Sequence, residues 1–307
     1  MKNKKTAGIG IAEGLIRLHG LLPLEYHRFL GRILAWFFRS VLHYRNDVVY
    51  TNLARSFPEK PYDEIKSLEK MFYLHFATIF AEMIWFGSCR GERGRKRLHK
   101  SHIVEITNPD EFNRLIEANP QMMVLQTHAG NWELISGVNQ YSYSTPLGIN
   151  PSEVSVAYVP LASKFWDTFT ANNRIAPIAD SDFDGYIDFN HILRAVLSNK
   201  SKKMAYVFIT DQYPYKHGQG DMKINFMHQD TYTMSAAAGL AVKMNMAAVY
   251  LRFRTRPEGG YTMTLVPIVE RASETTPEEI MTKYYQLLEE DLREQPWNYL
   301  WTHKRWK

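Results

Sequence analysis

The chain has 307 residues, of which 45% are hydrophobic and 22% are charged. This balance is that of a folded globular protein and argues against long disordered segments. Aromatic residues reach 13%, a share typical of proteins that meet membrane interfaces or lipid. The single cysteine, Cys89, excludes an internal disulfide bond and fits a reducing compartment.

The net charge of +5 is concentrated in two segments. Residues 1–55 carry nine Lys or Arg against three Asp or Glu, and residues 90–100 carry six against one. Basic clusters of this kind attract the phosphates of anionic lipids and nucleic acids, and they also attract acidic carrier proteins. For residues 90–100, a solvated charged loop is the alternative.

The N-terminal region predicts contact with a membrane surface. No stretch reaches the ~20 apolar residues of a transmembrane helix, and we expect no secretory signal. Residues 8–44 predict two helices separated near Pro23. In the second helix an apolar stripe lies beside arginines that can snorkel: Phe29, Leu30, Ile33, Leu34, Phe37 and Val41 beside Arg28, Arg32 and Arg39. We expect this helix to lie in the membrane interface from the cytoplasmic side; packing on its own domain is the alternative.

The remaining chain predicts a helix over residues 62–86 and then, from about residue 103, alternating strands and helices. Strands are expected at 122–127, 155–159, 204–210, 247–253 and 261–266. Helices are expected from about Trp132, at 161–173, 190–198 and 237–244, and after Thr276, where Thr-Pro-Glu-Glu forms a capping box. This alternation predicts an α/β fold with a mixed sheet flanked by helices and preceded by a helical N-terminal region.

The candidate chemistry lies in residues 126–134, where an apolar strand meets a helix. Ligands of α/β folds bind beyond such strand ends. His128 and Glu133 are five residues apart, which on one continuous helix would set them about 140° apart. The two side chains therefore meet only if His128 lies on a turn, which Ala129-Gly130 permits, and Glu133 lies in the first helical turn.

A carboxylate that holds one imidazole nitrogen as N–H leaves the other nitrogen free to take a proton from an alcohol. The arrangement corresponds to a serine-protease triad in which a substrate hydroxyl replaces the serine. The spacing of His128 and Glu133 differs from that of the zinc motif His-Glu-x-x-His, and we predict no metal site. A purely structural histidine is the alternative, because the bare spacing is a weak pattern.

The residues around the pair are more specific than its spacing. His128-Ala-Gly-Asn-Trp-Glu133 resembles His-x-Gly-Asn-Trp-Glu, the signature of the bacterial lipid A biosynthesis acyltransferases, the late lauroyl/myristoyl transferases. Asn52-Leu-Ala-Arg-Ser-Phe-Pro-Glu59 is similar to the family's Asn-Leu-x-x-x-Phe-Pro-Glu, and Asp211-Gln212 to its Asp-Gln element. Helix 233–244 with the strand after it fits the next block, and residues 299–307 resemble its terminal Trp-x-His-x-Arg-aromatic-Lys.

The resemblance implies a fold like that of glycerolipid acyltransferases, with a membrane-associating region at 1–60 and an acyltransferase domain at 61–307. It implies an acyl thioester as co-substrate and no other cofactor. The expected donor is acyl carrier protein, with acyl-CoA as the alternative. The expected acceptor is a hydroxyl of a lipid A precursor at the cytoplasmic face of the inner membrane, where the enzyme would be peripheral or monotopic on an anionic surface.

The resemblance also assigns roles: His128 as general base and Glu133 as the residue that orients it. Further site-lining candidates are Asn131, Arg174, Asp211 and Gln212. A plain turn at Asp211-Gln212 and a surface position for Arg174 are alternatives. Relatives often have Tyr-Arg-Pro where this chain has Tyr158-Val-Pro160, so Lys164 replaces the arginine or the acceptor carries fewer phosphates.

Four other interpretations stay open. The same chemistry on another lipid, an aminolipid or a glycolipid, would keep the site and change the acceptor. A non-catalytic lipid-binding protein would explain the N-terminus and leave the His–Glu pair without a role. Gly87-Ser-Cys-Arg-Gly91 matches the nucleophile turn of α/β-hydrolases, but no helical pattern follows it. Nucleic-acid binding is not expected, since no recognisable module accompanies the basic clusters.

Overall fold

The computed structural model describes residues 7–160, 163–179, 185–214 and 221–306. Its α-helices are α1 (Ala7–Gly20), α2 (Leu24–Trp36), α3 (Asn46–Ser56), α4 (Tyr62–Phe86), α5 (Gly91–Lys100), α6 (Pro109–Ala118), α7 (Lys164–Arg174), α8 (Ile192–Ser198), α9 (Ala236–Met244) and α10 (Pro277–Glu294). Its strands are β1 (Val104–Ile106), β2 (Gln121–Gln126), β3 (Val154–Tyr158), β4 (Tyr186–Asp188), β5 (Met204–Ile209), β6 (Asp221–Phe226), β7 (Gln229–Met234), β8 (Ala247–Thr255) and β9 (Tyr261–Val269).

Among the described residues, seven strands form one sheet in the order β1-β9-β8-β2-β5-β3-β4. Neighbouring strands are parallel except β8 and β9, which form an antiparallel pair. Strands β6 and β7 make a separate antiparallel hairpin. The mostly parallel sheet with helices on its faces confirms the predicted α/β class.

Helices cover both faces of the sheet and create two hydrophobic cores. Met123 and Leu125 of β2 face one core, which α3, α4, α9 and α10 complete. Met122 and Val124 face the other, which α5, α6 and the short helix after β2 complete. Because both faces are buried, the four residues of β2 between Gln121 and Gln126 are all apolar, with no polar alternation. The site described below lies at the end of this central strand.

Local signals set the helices that flank the sheet. At the start of α10 the Thr276 hydroxyl accepts from the Glu279 backbone N–H, and the Glu279 carboxylate accepts from the Thr276 N–H, which confirms the predicted capping box. Four side chains at helical spacing on α10 are fully or almost fully buried, namely Ile280, Tyr284, Leu288 and Leu292. The predicted helix over residues 62–86 is α4, and its apolar stripe is core.

The predicted break near Pro23 separates α1 from α2, and α2 packs on α4. One π-helical turn, Phe37–Val41, continues α2. Large apolar side chains of this region are exposed: Leu15, Leu18, Leu21, Leu22, Tyr26, Phe29, Ile33, Trp36, Phe37, Val41, Leu42 and Tyr44. Within the described part of the chain, no helix is both long enough and apolar enough to cross a bilayer.

Two of the family-like blocks meet in the core. The Asn52 side chain donates to the backbone carbonyls of Trp301 and His303, at 2.8 and 2.9 Å, and the ring of Phe57 packs edge-on against Trp301. Arg305 is 1% exposed and donates to Thr231 and Tyr285. These blocks therefore join the N-terminal helices to the C-terminus. The division at residue 60 stays a prediction about membrane association.

Candidate active site

The site forms where two neighbouring parallel strands end. Strand β2 pairs with β5 in a register that sets Gln126 opposite Ile209. His128 follows β2 by two residues and Asp211 follows β5 by two, so the strand ends carry the two side chains to the same edge of the sheet. Carboxyl ends of parallel strands are where α/β folds place ligands.

Asp211 holds the imidazole of His128. Nδ1 of His128 lies 2.7 Å from one Asp211 carboxylate oxygen, and the His128 backbone N–H donates to the other at 2.9 Å. Burial alone would raise the pKa of Asp211, but the charge and hydrogen bonds of His128 outweigh burial and hold that pKa below its usual value. An ionised carboxylate is only an acceptor, so Nδ1 carries a proton in either charge state of the ring, and in the neutral form the lone pair is on Nε2.

The second ring nitrogen of His128, Nε2, lies near one polar side chain, and the ring lies against one aromatic side chain. The Gln212 amide nitrogen lies 3.2 Å from Nε2 of His128. The Trp132 ring meets the imidazole edge-on with centroids 4.9 Å apart. The His128 side chain is 15% exposed, whereas that of Asp211 is 1% exposed. Nε2 is thus the basic atom of this pair that a substrate hydroxyl can approach.

Glu133 has a different partner. Its carboxylate accepts two parallel hydrogen bonds from Arg174, at 2.6 and 2.7 Å, and one from the Trp132 indole at 3.1 Å. Burial would raise the pKa of Glu133, but the Arg174 charge and these hydrogen bonds lower it below its usual value. Burial would lower the pKa of Arg174, and Glu133 raises it instead. This bidentate pair is ionised at neutral pH.

The expectation that Glu133 orients His128 is therefore corrected: Asp211 holds Nδ1, and among the described residues no hydrogen bond joins Glu133 to His128. The reason is electrostatic, because the permanent charge and planar fork of Arg174 bind a carboxylate more strongly than a neutral imidazole does. Arg174 is not a surface arginine, since its side chain is 23% exposed and paired. Lys164 is exposed, with no ion pair in the described part of the chain.

The turn that carries His128 depends on glycine. Gly130 has φ +67°, and a Cβ there would lie 1.7 Å from the Phe253 ring. Its backbone N–H donates to the Asn298 side chain at 2.7 Å, and Asn298 in turn donates to the Phe253 carbonyl. Sequence reasoning missed Asn298, since it follows α10 and only the fold brings it to the turn.

Asn131 is inside the protein, where it holds the turn in place, and it is not exposed to a bound substrate. It is fully buried, and its amide donates to Glu82 at 3.1 Å. Glu82 also accepts from Tyr261 at 2.8 Å and from Arg28 at 3.0 Å. Glu82 was missed as well, although a carboxylate inside the apolar stretch of α4 was a usable signal for a buried polar contact.

Cys89 offers no nucleophile for competing chemistry in this structure. Cys89 is fully buried, and burial raises the pKa of its thiol to about 12, so a reactive thiolate is excluded. Over the described ranges, no group of three or more His, Cys, Asp or Glu side chains is placed to hold a metal ion.

An imidazole whose Nδ1 is held by a buried carboxylate, at the end of a mostly parallel sheet, is an arrangement that can deprotonate a hydroxyl group. The chain belongs to the bacterial lipid A biosynthesis acyltransferase family, whose model matches residues 4–152 and 171–307. Membership confirms the family that the motifs indicated and implies acyltransferase activity. A search of curated proteins finds no significant match.

The matched ranges have one gap, residues 153–170. This gap contains Tyr158-Val-Pro160, where the arginine of many relatives is missing, and most of α7. Arg174 lies just beyond the gap, inside the second matched range. The unmatched range therefore includes strand β3, whose Val154 and Val156 lie in one of the cores, and most of α7, which ends at Arg174 beside the candidate site.

Proposed function

We propose that the protein transfers an acyl chain from an acyl thioester to a hydroxyl of a lipid A precursor, with His128 as general base. The observation that carries this proposal is the 2.7 Å contact between Nδ1 of His128 and Asp211. It fixes the tautomer in which Nε2 can accept a proton, and it stabilises the imidazolium that forms.

The reaction needs no nucleophile from the protein. Nε2 of His128 takes the proton of the acceptor hydroxyl while its oxygen attacks the thioester carbonyl, and the new C–O bond gives a tetrahedral oxyanion. The oxyanion collapses, the C–S bond breaks, and the proton on Nε2 passes to the leaving thiolate. The products are an ester and a free thiol, and the imidazole is neutral again.

Membrane association is proposed from the exposed apolar surface of α1, α2 and the π-helical turn. Soluble monomers rarely expose contiguous apolar surface of this kind, and the exposed Arg32 beside it suits anionic lipid. Arg28 and Arg39, also expected to reach lipid, are instead paired with Glu82 and Glu69. Lipid A biosynthesis, the pathway of the family, handles membrane lipids. We place the protein at the cytoplasmic face of the inner membrane, peripheral or monotopic.

The membrane proposal is tested by changing exposed residues that do not pack inside. Ile33, Trp36 and Phe37 are exposed, whereas Phe38 packs against Phe76. Ile33→Ser, Trp36→Ser and Phe37→Ser together should move the protein from the vesicle fraction to the soluble fraction in flotation. The matched control is Leu193→Ser with Leu197→Ser, two exposed apolar residues of α8. Unchanged flotation of the triple variant, or an equal shift in the control, contradicts the proposal.

The donor proposal is acyl carrier protein, docked on exposed basic residues of α5. Arg93, Lys96 and Lys100 are exposed. Arg97 is excluded from this surface, because it donates to the carbonyls of Gly20 and Leu22 and to the Ser88 hydroxyl. Buried Arg305 is excluded as well, and Lys307 lies outside the described residues. The electrostatic field of such a basic surface mainly accelerates the encounter with an acidic partner.

Reversing the charge of these α5 residues should slow transfer from acyl carrier protein but not transfer from a small thioester. Arg93→Glu, Lys96→Glu and Lys100→Glu together should lower kcat/KM for acyl carrier protein by about tenfold or more at low salt, with little effect on a short thioester analogue. Lys200→Glu, Lys243→Glu and Lys283→Glu, at exposed positions away from α5, form a control of equal charge change. Equal slowing with both donors would remove α5 as a docking surface and leave acyl-CoA as the donor.

One other class of acceptor lipid is favoured by a specific observation. Residues 153–170 depart from the family and lack the arginine of Tyr-Arg-Pro, so another hydroxyl-bearing aminolipid or glycolipid is the second candidate. The deciding experiment incubates the purified protein with acyl carrier protein or CoA thioesters and each acceptor. Mass spectrometry should show the lipid A precursor heavier by one acyl chain. Acylation of another lipid would favour the competitor, and binding of lipid without transfer would indicate a non-catalytic protein.

A further inference from the structure

A cavity of about 770 Å³ lies outside the candidate site, between α2, α4, the β8–β9 turn and the segment after α10. Its size is within the range of small-molecule sites, roughly 300–1,000 Å³. None of His128, Glu133, Arg174, Asp211 and Gln212 lines it. The cavity is nevertheless connected to the turn that carries His128. Glu82 lines the cavity and accepts a hydrogen bond from Asn131 of that turn.

The cavity is lined by more positively charged than negatively charged side chains. Arg28, Arg32 and Arg256 line it, against Glu82 and Glu294. Glu294 is paired with Arg254, and Arg256 is paired with Glu105 and Glu258, and none of these three partners lines the cavity. The positive charge of the wall therefore comes from Arg28 and Arg32 against Glu82. Arg32 is exposed and forms no ion pair with the described residues. Such a wall suits an anionic ligand.

Two enclosed polar atoms in the wall have no hydrogen-bond partner among the described residues: Nε2 of His75 and one terminal nitrogen of Arg28. His75 is 7% exposed, and its ring hydrogen-bonds the backbone of Gly130. Burial lowers the pKa of His75 to about 4, so the ring is neutral at physiological pH. Since an unpaired buried polar atom is costly, a ligand hydroxyl at Nε2 and an anion at Arg28 would satisfy both.

The mouth of the cavity is apolar and lies close to the proposed membrane surface. Met71 and Leu74 of α4 line it and remain 37% and 43% exposed. Arg28 and Arg32 are followed in α2 by Phe29 and Ile33, whose side chains are exposed. Basic groups inside and apolar groups at the entrance match an amphiphile, with its charged end in the cavity and its chains at the membrane.

We propose that this cavity binds the headgroup of an anionic phospholipid that carries both a phosphate and a hydroxyl, at a site separate from the reacting hydroxyl. The phosphate lies between Arg28 and Arg32, and the headgroup hydroxyl meets His75. Arg28 also donates to Glu82, and Glu82 holds Asn131 of the catalytic turn. Bound lipid thereby orders both the membrane-facing helix α2 and the turn that carries His128.

The test is calorimetric titration of the whole protein with short-chain phosphatidylglycerol below its micellar concentration, with no acyl donor present. Wild type should bind one lipid. Arg32→Glu should weaken that binding by about tenfold or more, because one phosphate contact is replaced by repulsion. Arg55→Glu, an exposed arginine on α3, is the control of equal charge change and should stay within about twofold of wild type. Leu74→Glu, at the apolar mouth, should also weaken binding.

Three results overturn the proposal. Equal affinity for short-chain phosphatidylcholine, or equal affinity of Arg32→Glu and Arg55→Glu, would mean non-specific adsorption. Affinity for glycerol 3-phosphate as high as for the lipid would mean a soluble phosphate ligand. The measurement is independent of acyl transfer. A protein that binds the lipid here and transfers no acyl chain would keep this inference and refute the proposed function.

Discussion

Two buried carboxylates lie beyond the ends of neighbouring strands, and their surroundings differ in one respect. Glu133 is held by the guanidinium of Arg174 and the indole of Trp132, neither of which has a lone pair that can accept a proton. Asp211 is held by His128, whose second ring nitrogen does have one. A carboxylate serves proton transfer only through a partner that can still change its protonation. In the proposed mechanism, this difference gives Asp211 a part in proton transfer and leaves Glu133 a structural role.

The largest effect should come from the base itself. His128→Ala should lower kcat for acyl transfer by about a thousandfold, because it removes proton transfer in the rate-determining step. The melting temperature should stay close to that of wild type, since the ring is partly exposed and outside both cores. Transfer above a tenth of the wild-type rate in the purified variant would end the role of His128.

A second prediction concerns stability. Glu133→Gln should lower the free energy of unfolding by about 3 kcal/mol, because it leaves the mostly buried Arg174 charge unpaired. Adding Arg174→Gln to Glu133→Gln should recover part of the loss, since the double variant has no unpaired charge. Denaturant unfolding of the single and double variants measures both. A double variant whose losses simply add would show that the two residues do not stabilise the fold as a pair.

The smallest predicted effect is on the pH dependence of stability. The pKa of Glu133 is lower in the folded protein than in the unfolded chain, so the unfolded chain binds more protons as the pH falls. The stabilisation is complete above the ordinary glutamate pKa, about 4.3, and is lost as the pH falls through the folded-state value. The difference in unfolding free energy between wild type and Glu133→Gln should therefore narrow from pH 7 to about pH 3. A constant difference would mean that Glu133 is not ionised in the fold.

The elements of this fold were largely predictable because their signals are local. The capping box at Thr276 and the apolar stripes of α4 and α10 depend on neighbours within a few residues. The helix expected from Trp132 proved to be a 3₁₀ helix, Trp132–Gln140. Asp211 and His128 were both recognised as candidates. Their pairing was not, because it depends on β2 lying beside β5, and strand order is a property of the whole sheet.

The same limit applies to charge. Arg97 belongs to the basic segment 90–100, which indicated an exposed surface, yet its guanidinium donates to the backbone carbonyls of Gly20 and Leu22. Arg305, in the C-terminal motif, likewise donates to side-chain oxygens inside the fold. The composition gives the number of charged residues but does not show which of them form hydrogen bonds or ion pairs inside the fold. Arg93, Lys96 and Lys100 remain exposed, so the basic surface is smaller than the sequence suggested.

The most direct test of the account compares Asp211→Asn and Glu133→Gln in one acyl-transfer assay, with rates corrected for the folded fraction of each protein. Asp211→Asn should lower kcat by about a hundredfold or more and alter the pH profile of kcat, because an amide can hold the wrong imidazole tautomer and cannot stabilise the imidazolium. Glu133→Gln should lower kcat by less than about tenfold. A greater loss of kcat in Glu133→Gln than in Asp211→Asn would contradict the assignment and return Glu133 to the role of orienting His128.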